Sequence, residues 1–181
     1  MGGADLCKVV DSILLLMFVL ISVAAPLVDS QTCLPETIYP DLLVRIYKWY
    51  AAEFQHFLLV EKPHFFVALV WLELVFQWPL ALLNVYGMLA SKPWFNTTCL
   101  IFGASFITSL AAIVGEILGS PKASDKLLKS YYPFMGFGVL ALLRGLLLPE
   151  SQPAKDSLTI GNGPALARKK RGLELRSSSI L

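Results

Sequence analysis

The sequence has little charge for its length. Of its 181 residues, 15% are charged and 56% are hydrophobic, and the formal net charge is +2. A soluble domain of this size needs more polar surface to cover its core. The sequence also contains no basic stripe with interleaved aromatic residues, the pattern that indicates nucleic-acid binding. We therefore predict a protein of the lipid bilayer with no nucleic-acid partner.

Cysteine and histidine are equally scarce. The three cysteines, Cys7, Cys33 and Cys99, stand far apart without a CxxC pair, and His56 and His64 are the only histidines. Such a set predicts neither a disulfide framework nor a zinc site. The two histidines also lack neighbouring residues that would form a metal site or a catalytic dyad. We expect no metal and no cofactor.

Four apolar runs are long enough to cross a bilayer, which takes about 20 helical residues. They cover about residues 9–28, 65–89, 97–118 and 127–148, and the short connections between the last three predict antiparallel neighbours. Ser22-Val-Ala-Ala25 resembles a signal-peptide cleavage site, but Pro26 and the apolar residues after it favour a retained helix. We predict an all-α membrane protein, a four-transmembrane-helix bundle over residues 9–148.

A charged segment between the first two runs predicts a helix that does not cross the membrane. Pro40 and Asp41 suit a helix start. Apolar residues then recur at intervals of three and four: Leu43, Ile46, Tyr47, Tyr50, Ala51 and Phe54. This is an amphipathic pattern. We expect an interfacial helix that caps one side of the bundle.

The composition changes after Pro149. Residues 149–181 are rich in Ser, Gly and basic residues without apolar periodicity, which predicts a disordered tail. Four spans place both termini on one side, and the basic cluster from Arg168 to Arg171 places that side in the cytosol. The sequon Asn96-Thr97-Thr98 would then be cytosolic and unused. Several basic residues on the opposite side argue against this orientation: Arg45, Lys48, Lys62, Lys122, Lys126 and Lys129.

Glu73 lies near the middle of the second apolar run, where a charge costs roughly 2.5–3.5 kcal/mol. An ionisable group at that depth is a functional-site hypothesis. Gln77 and Asn84 fall within about 40° of it on a regular helix, so the three predict one polar stripe. Pro79 frees the carbonyl of Val75 and favours a kink just past Gln77. We expect a pocket beside the carboxyl.

Asp29, at the end of the first run, is the candidate partner of Glu73. Two nearby carboxyls cannot both ionise cheaply in a low dielectric, so the pair would retain one proton and one negative charge. Such a pair suits a cationic amine or a developing carbocation, and it can accept a hydrogen bond from a buried hydroxyl. We also expect Trp49 and Tyr50, on the capping helix, to form pocket walls.

Other polar and small residues predict helix packing. Ser105, Ser109, Ala112 and Glu116 share one face of the third run. Gly115 and Gly119 form a GxxxG pair, which permits close helix approach and makes a homodimer conceivable. Arg144, near the end of the fourth run, is expected to extend to the lipid headgroups.

Several motifs resemble those of the EXPERA family of membrane proteins. They are Leu34-Pro35, Tyr39-Pro40, Lys48-Trp49-Tyr50-Ala51, Glu53-Phe54 and Glu73-Leu-Val-Phe-Gln77-x-Pro79, and the likeness in order and spacing covers about residues 9–148. The resemblance implies a four-helix protein of the endoplasmic-reticulum membrane with a lipid-accessible pocket for sterols and cationic amphiphiles. It implies that Asp29 faces the ligand's amine and that Glu73 supports it. The other implied pocket residues are Trp49, Tyr50, Gln77, Ser109 and Phe134.

The chain departs from the receptors of that family at two positions. His56 stands where they have an aspartate, which puts their supporting acidic network in doubt. Phe134 stands where they have a tyrosine, so one polar contact is lost. Ser109 replaces a threonine and keeps the hydroxyl. The resemblance therefore implies the same type of pocket with an altered ligand preference.

Two main functions follow from these residues. The first is a non-enzymatic receptor that binds sterols or cationic amphiphiles and takes part in sterol handling, acting through a partner such as a sterol-transport membrane protein. The second is a sterol double-bond (Δ8–Δ7) isomerase, which needs one group to donate a proton and another to remove one. The family's isomerase has an intramembrane histidine, and neither histidine here lies inside an apolar run. A third interpretation, a purely structural adaptor, treats Glu73 as a helix-association device. We favour the receptor.

Overall fold

The structure is a computed structural model that describes residues 3–147, and side chains from residue 7 onward. Within that range every regular element is a helix. The α-helices are α1 (Gly3–Leu27), α2 (Asp41–Glu53), α3 (Phe57–Glu61), α4 (His64–Leu72), α5 (Trp78–Leu89), α6 (Phe95–Gly119) and α7 (Asp125–Leu147). A π-helical segment, Glu73–Gln77, joins α4 to α5, and short 3-10 helices cover Asp29–Thr32 and Glu36–Ile38. The predicted tail, residues 149–181, lies outside the described residues.

Four of these stretches have the length and composition to cross a membrane. They are Cys7–Thr32, His64–Leu89, Phe95–Gly119 and Asp125–Leu147. Each corresponds to one of the predicted apolar runs, with ends that differ by a few residues. The all-α fold with four membrane-spanning helices is therefore confirmed.

The predicted amphipathic helix is α2, which begins directly after Pro40 and buries Tyr47 and Ala51. It ends in a tight turn in which Gln55 adopts a positive φ of 51°. The backbone N–H of His56 then donates to the carbonyl of Ala51 at 2.8 Å. Hydrogen bonding back across the helix end is how a left-handed residue terminates a helix. The turn places the buried His56 side chain underneath the cap.

Aromatic rings form the centre of the bundle. Phe18 of α1 lies 5.1 Å from Phe102 of α6 and 5.3 Å from Phe137 of α7, both edge to face. Phe106 completes the cluster at 5.5 Å from Phe137. Edge-to-face pairs at such distances are favourable for aromatic rings. The first span is thus an integral part of the core.

Glycine allows α6 and α7 to approach closely, but at positions other than those predicted. A methyl group added at Gly103 would lie 2.5 Å from the backbone nitrogen of Leu142, and one at Gly145 would lie 2.6 Å from the β-carbon of Leu100. No atom lies within 4 Å of the same position at Gly115 or Gly119. The GxxxG pair therefore does not pack against another helix of the described chain. The expectation that it mediates close approach within the bundle is wrong.

Arg144 does not extend to the headgroups as expected. Its Nε donates to Asp11 Oδ1 at 2.7 Å and its Nη1 donates to Asn96 Oδ1 at 2.9 Å. The guanidinium also lies over the ring of Phe95, 5.3 Å from its centroid. The nearby carboxylate and amide satisfy the charge better than an extended side chain could. This ion pair joins α1, α6 and α7 at the end of the bundle away from the cap.

Candidate ligand-binding site

The site begins with the interruption of the second span. Pro79 has no N–H, so it cannot bond to the carbonyl of Val75, and the helix changes to a π turn just before it. A π turn holds more residues than an α turn, so two residues that are four apart, such as Glu73 and Gln77, point in more nearly the same direction than they would in an α-helix. Glu73 and Gln77 are the first and last residues of this segment. The distortion that Pro79 predicts therefore takes the form of a wider turn over Glu73–Gln77.

The other carboxyl, Asp29, is placed by the 3-10 turn after α1. Three consecutive buried residues tie this turn to the cap. Ser30 hydrogen bonds to the Tyr39 hydroxyl at 2.6 Å, and Thr32 to the Tyr47 hydroxyl at 3.3 Å. Between them, Gln31 Nε2 donates to the carbonyl of Leu43 at 3.3 Å. These bonds hold the start of the turn against the bundle and fix the position of Asp29.

Asp29 and Glu73 line one cavity of about 290 Å³ between the cap and the spans. Its volume is near the lower end of the range for ligand pockets. The walls are mainly apolar and come from α1, α4, α6 and α7, through Leu20, Ile21, Ala24, Leu69, Val70, Phe106, Leu110, Ile113 and Phe134. A few polar side chains interrupt them. This combination of apolar walls and a few converging polar groups is typical of a small-molecule site.

The two carboxyls differ from the other polar groups of the cavity in their hydrogen bonding. The Thr32 hydroxyl is paired with Tyr47, and Tyr50 with Ser130. Within residues 3–147, neither Asp29 nor Glu73 accepts a hydrogen bond from another side chain or from the backbone, although the two act on each other electrostatically. A buried carboxylate without a donor is costly. The cavity therefore offers two acceptors that the protein itself leaves unused.

Gln77 is fixed by the third span. Its Nε2 donates to Ser105 Oγ and to Ser109 Oγ, each at 3.0 Å, and Gln77 and Ser109 both line the cavity. Asn84, predicted in the same stripe, accepts instead from the Thr98 hydroxyl at 2.6 Å and is not part of the cavity lining. It lies seven residues, or about 10 Å, further along the helix. The predicted stripe therefore divides into a cavity group and a separate helix contact.

Most of the implied pocket residues meet in this cavity. Tyr50, Ser109 and Phe134 line it together with Asp29, Glu73 and Gln77. Trp49 does not, because its side chain is 61% exposed on the outer face of α2. Adjacent residues of a helix point about 100° apart, and here Tyr50 faces the cavity while Trp49 points outward. The structure does not bring Trp49 to the site.

His56 belongs to the cavity lining, which the sequence analysis did not anticipate. It is 2% exposed, and its Nε2 lies 2.8 Å from the Tyr131 hydroxyl. Burial lowers the pKa of His56 from 6.5 to about 4, so the imidazole is neutral at pH 7. The sequence did not predict that His56 lines the cavity because His56 lies outside the apolar runs. The signal that could have predicted it is the family resemblance, in which His56 stands in place of an aspartate of an acidic network.

Residues 3–147 contain no cluster of three or more His, Cys, Asp or Glu that could hold a metal ion. Four membrane-spanning helices around an apolar cavity with buried polar groups define a multi-pass membrane protein of the receptor or binding type. The chain belongs to the EXPERA family (EXPanded EBP superfamily), whose model matches residues 42–145, more than half of the chain.

Named relatives specify the branch of the family. The chain is 30% identical over 136 residues to a Sigma intracellular receptor 2 of Xenopus tropicalis, covering 68% of this chain and 80% of the relative. It is 36% identical over 91 residues to proteins of the same name from Homo sapiens and Macaca fascicularis, covering 50% of this chain and 52% of each relative. The motifs from Leu34 to Pro79 resemble the sigma-2 receptors in particular, and that identification is confirmed.

Proposed function

We propose that the protein is an intracellular membrane receptor for sterols and cationic amphiphiles, with Asp29 and Glu73 as its polar binding group. The observation that carries this proposal is the lack of any protein hydrogen-bond donor to either carboxyl in the described chain, although both line an apolar cavity. A ligand ammonium, a ligand hydroxyl or a shared proton would satisfy them. The similarity to Sigma intracellular receptor 2 supports a receptor role.

The charge of the carboxyl pair decides the ligand class. Two close carboxyls in a low dielectric retain one proton between them, so the pair carries one negative charge. One negative charge complements a single ammonium group. The protonated carboxyl can donate a hydrogen bond to the hydroxyl of a sterol. The ionised carboxyl can accept a hydrogen bond from that hydroxyl. The apolar walls would hold the rest of either ligand.

Photoaffinity labelling in native membranes tests this assignment. A photoreactive cationic amphiphile and a photoreactive sterol should both label the wild type, and each unlabelled ligand should compete. Asp29→Asn and Glu73→Gln should reduce labelling by the amphiphile by roughly tenfold or more, since hydrogen bonds to charged groups contribute about 1.5–3 kcal/mol. Both substitutions keep the size of the side chain.

Glu116→Gln is the matched control. Glu116 is also an intramembrane carboxyl, but it is exposed on α6 and does not line the cavity. Its substitution should leave labelling unchanged. If Asp29→Asn and Glu73→Gln label as well as the wild type while competition remains specific, the assigned site is wrong.

The position of His56 gives some support to the second function, a sterol double-bond isomerase. Neither histidine lies in a span, which disfavours an isomerase, yet His56 lines the same cavity as both carboxyls. Isomerisation adds a proton to one alkene carbon and removes one from a neighbouring carbon. Incubating membranes with a Δ8 sterol and measuring the Δ7 product by mass spectrometry tests this directly. Product that disappears in Glu73→Gln would establish the enzyme and overturn the purely non-enzymatic role.

Location and partners follow from the same proposal. We place the protein in the endoplasmic-reticulum membrane with both termini in the cytosol, an orientation that rests on the basic cluster from Arg168 to Arg171. Sterol handling would require a partner, for which we propose a sterol-transport membrane protein. The open surface at Gly115 and Gly119 supports a homodimer through α6. Identification of co-purifying lipid by mass spectrometry would name the physiological ligand.

A further inference from the structure

Besides the carboxyls, the cavity is lined by Tyr131, whose hydroxyl has hydrogen-bonding capacity left over. Its oxygen lies 2.8 Å from His56 Nε2. A phenol can donate one hydrogen bond and also accept, and the contact with His56 uses only one of these capacities. Among residues 3–147 no other group hydrogen bonds to this hydroxyl. In either tautomer of the imidazole, Tyr131 therefore keeps an unused capacity at the cavity wall.

Tyr131 lines the same cavity as Asp29 and Glu73. One turn further along α7, Phe134 adds an apolar ring to the lining. The cavity has a volume of only about 290 Å³, so one small head group can reach both the carboxyls and Tyr131. A ligand that satisfies both carries a hydroxyl close to its amine.

We propose that the cavity is specific for long-chain amino alcohols, in which the ammonium binds the Asp29–Glu73 pair and the neighbouring hydroxyl binds Tyr131. In this arrangement His56 is a positioning residue, because its Nε2 hydrogen bonds to the Tyr131 hydroxyl and holds the phenol in place. The inference rests on the proposed function and names its ligand class more narrowly. It also assigns a role to the residue at which this chain departs from related receptors.

A neutral imidazole suits this role. Burial lowers the pKa of His56 to about 4, so at pH 7 it neither repels an ammonium group nor adds a negative charge. The rings of Tyr50, Phe66 and Tyr131 lie 5.8–6.1 Å from it and hold its orientation. A carboxylate at position 56 would attract any cation, with or without a hydroxyl. With a neutral ring at this position, the contact with the ligand hydroxyl accounts for a larger share of the binding free energy.

Competition between two simple ligands tests the proposal. Octadecylamine and 2-aminooctadecan-1-ol compete with a photoreactive cationic amphiphile for the full-length protein in lipid nanodiscs. The two ligands partition differently into lipid, but this difference is the same for every variant. The ratio of their potencies is therefore compared between variants. In the wild type the amino alcohol should be roughly three- to tenfold more potent, the effect of one neutral hydrogen bond.

The variants separate the hydroxyl contact from the ionic one. Tyr131→Phe removes one oxygen and should abolish the preference while octadecylamine binds as before. His56→Leu should also lose the preference, whereas His56→Gln, whose amide can reach the phenol, should retain most of it. Tyr132→Phe is the control, since Tyr132 is 58% exposed and lies outside the cavity.

The outcomes distinguish this inference from the proposed function. A wild type that binds both ligands equally, or a preference that survives Tyr131→Phe, overturns the amino-alcohol specificity and leaves the receptor assignment intact. If octadecylamine itself does not compete, or competes regardless of Asp29→Asn and Glu73→Gln, both proposals fail.

Discussion

Individual charged residues in this bundle serve two different purposes. Arg144 and Asp11 satisfy each other, with Asn96 as a further partner, so they stabilise the contact of α1, α6 and α7. Asp29 and Glu73, by contrast, have no hydrogen-bond donor within residues 3–147, although both line the cavity. A charge that the protein satisfies itself is structural, whereas one that it leaves unsatisfied in a cavity indicates ligand binding.

The Arg144–Asp11 pair should contribute measurably to stability. The Arg144 side chain is 15% exposed and that of Asp11 is 36% exposed, so water screens the pair only in part. We expect Arg144→Met to reduce the free energy of unfolding by about 1–3 kcal/mol, less than for a fully buried pair. Chemical unfolding in detergent measures this. Lys48→Met, which breaks an exposed pair with Glu36, should cost less than about 1 kcal/mol. Equal effects would contradict the structural role of Arg144.

His56 should make a destabilising contribution in acid. The pKa of His56 is about 4 in the folded protein and 6.5 when exposed, so between these values the unfolded chain binds a proton at this residue that the folded chain does not. This contribution begins below pH 6.5 and reaches about 3 kcal/mol near pH 4. Thermal unfolding in detergent at pH 7, 5.5 and 4.5 should show that the wild type loses stability relative to His56→Gln as the pH falls. His64→Gln, at an exposed histidine, should keep the wild-type slope. A slope that His56→Gln leaves unchanged would show that another group is responsible.

Among the helices, the second span shows most clearly how sequence determines the site. In a regular helix over 64–89, the carbonyl of Val75 would have no N–H partner at Pro79, and the proline ring would clash with that carbonyl. The π segment Glu73–Gln77 takes up this defect, and the irregular turn is where the polar residues lie. π turns inside α-helices occur frequently at functional sites. Pro79 therefore causes the irregular turn in which the carboxyl of Glu73 lies.

The close contact of α6 and α7 depends on particular glycines. Gly103→Ala would bring its methyl group within 2.5 Å of the Leu142 backbone, which cannot give way without moving a helix. We expect a loss of about 1–3 kcal/mol in the free energy of unfolding. Gly115→Ala faces open space within the chain, so in the monomer it should instead stabilise the helix by up to about 1 kcal/mol, whereas a homodimer through α6 would reverse this gain. Unfolding of both variants in detergent provides the comparison. A loss at Gly115 comparable to that at Gly103 would show that Gly115 packs against a second subunit.

At the scale of the whole molecule, the sequence was most informative where periodicity and length decide the outcome. The four spans, the cap after Pro40 and the meeting of Asp29 and Glu73 at one cavity were all predictable, the last from the family resemblance. Contacts between distant segments were not. Nothing in the local pattern shows that Asn96 accepts from Arg144, that Gly103 rather than Gly115 is the packed glycine, or that the turn at Gln55 places His56 beside Tyr131. Such contacts depend on how helices align in space, which periodicity does not specify.

The cavity lies next to the cap, so the orientation of the molecule in the membrane decides from which side the cavity can be reached. Cap and cavity should face the lumen if the termini are cytosolic. In a cysteine-free background, Thr97→Cys and Ala123→Cys place single thiols at exposed positions near opposite ends of α6. In sealed microsomes, an impermeant maleimide should label Thr97→Cys at once and Ala123→Cys only after permeabilisation. Lys122 forms an ion pair with Glu61 and Lys126 with Glu53, so the basic residues that count against a lumenal cap are partly engaged in surface contacts. The reverse labelling pattern would place the cap and both carboxyls next to the cytosol, and ligands would then have to approach from that side.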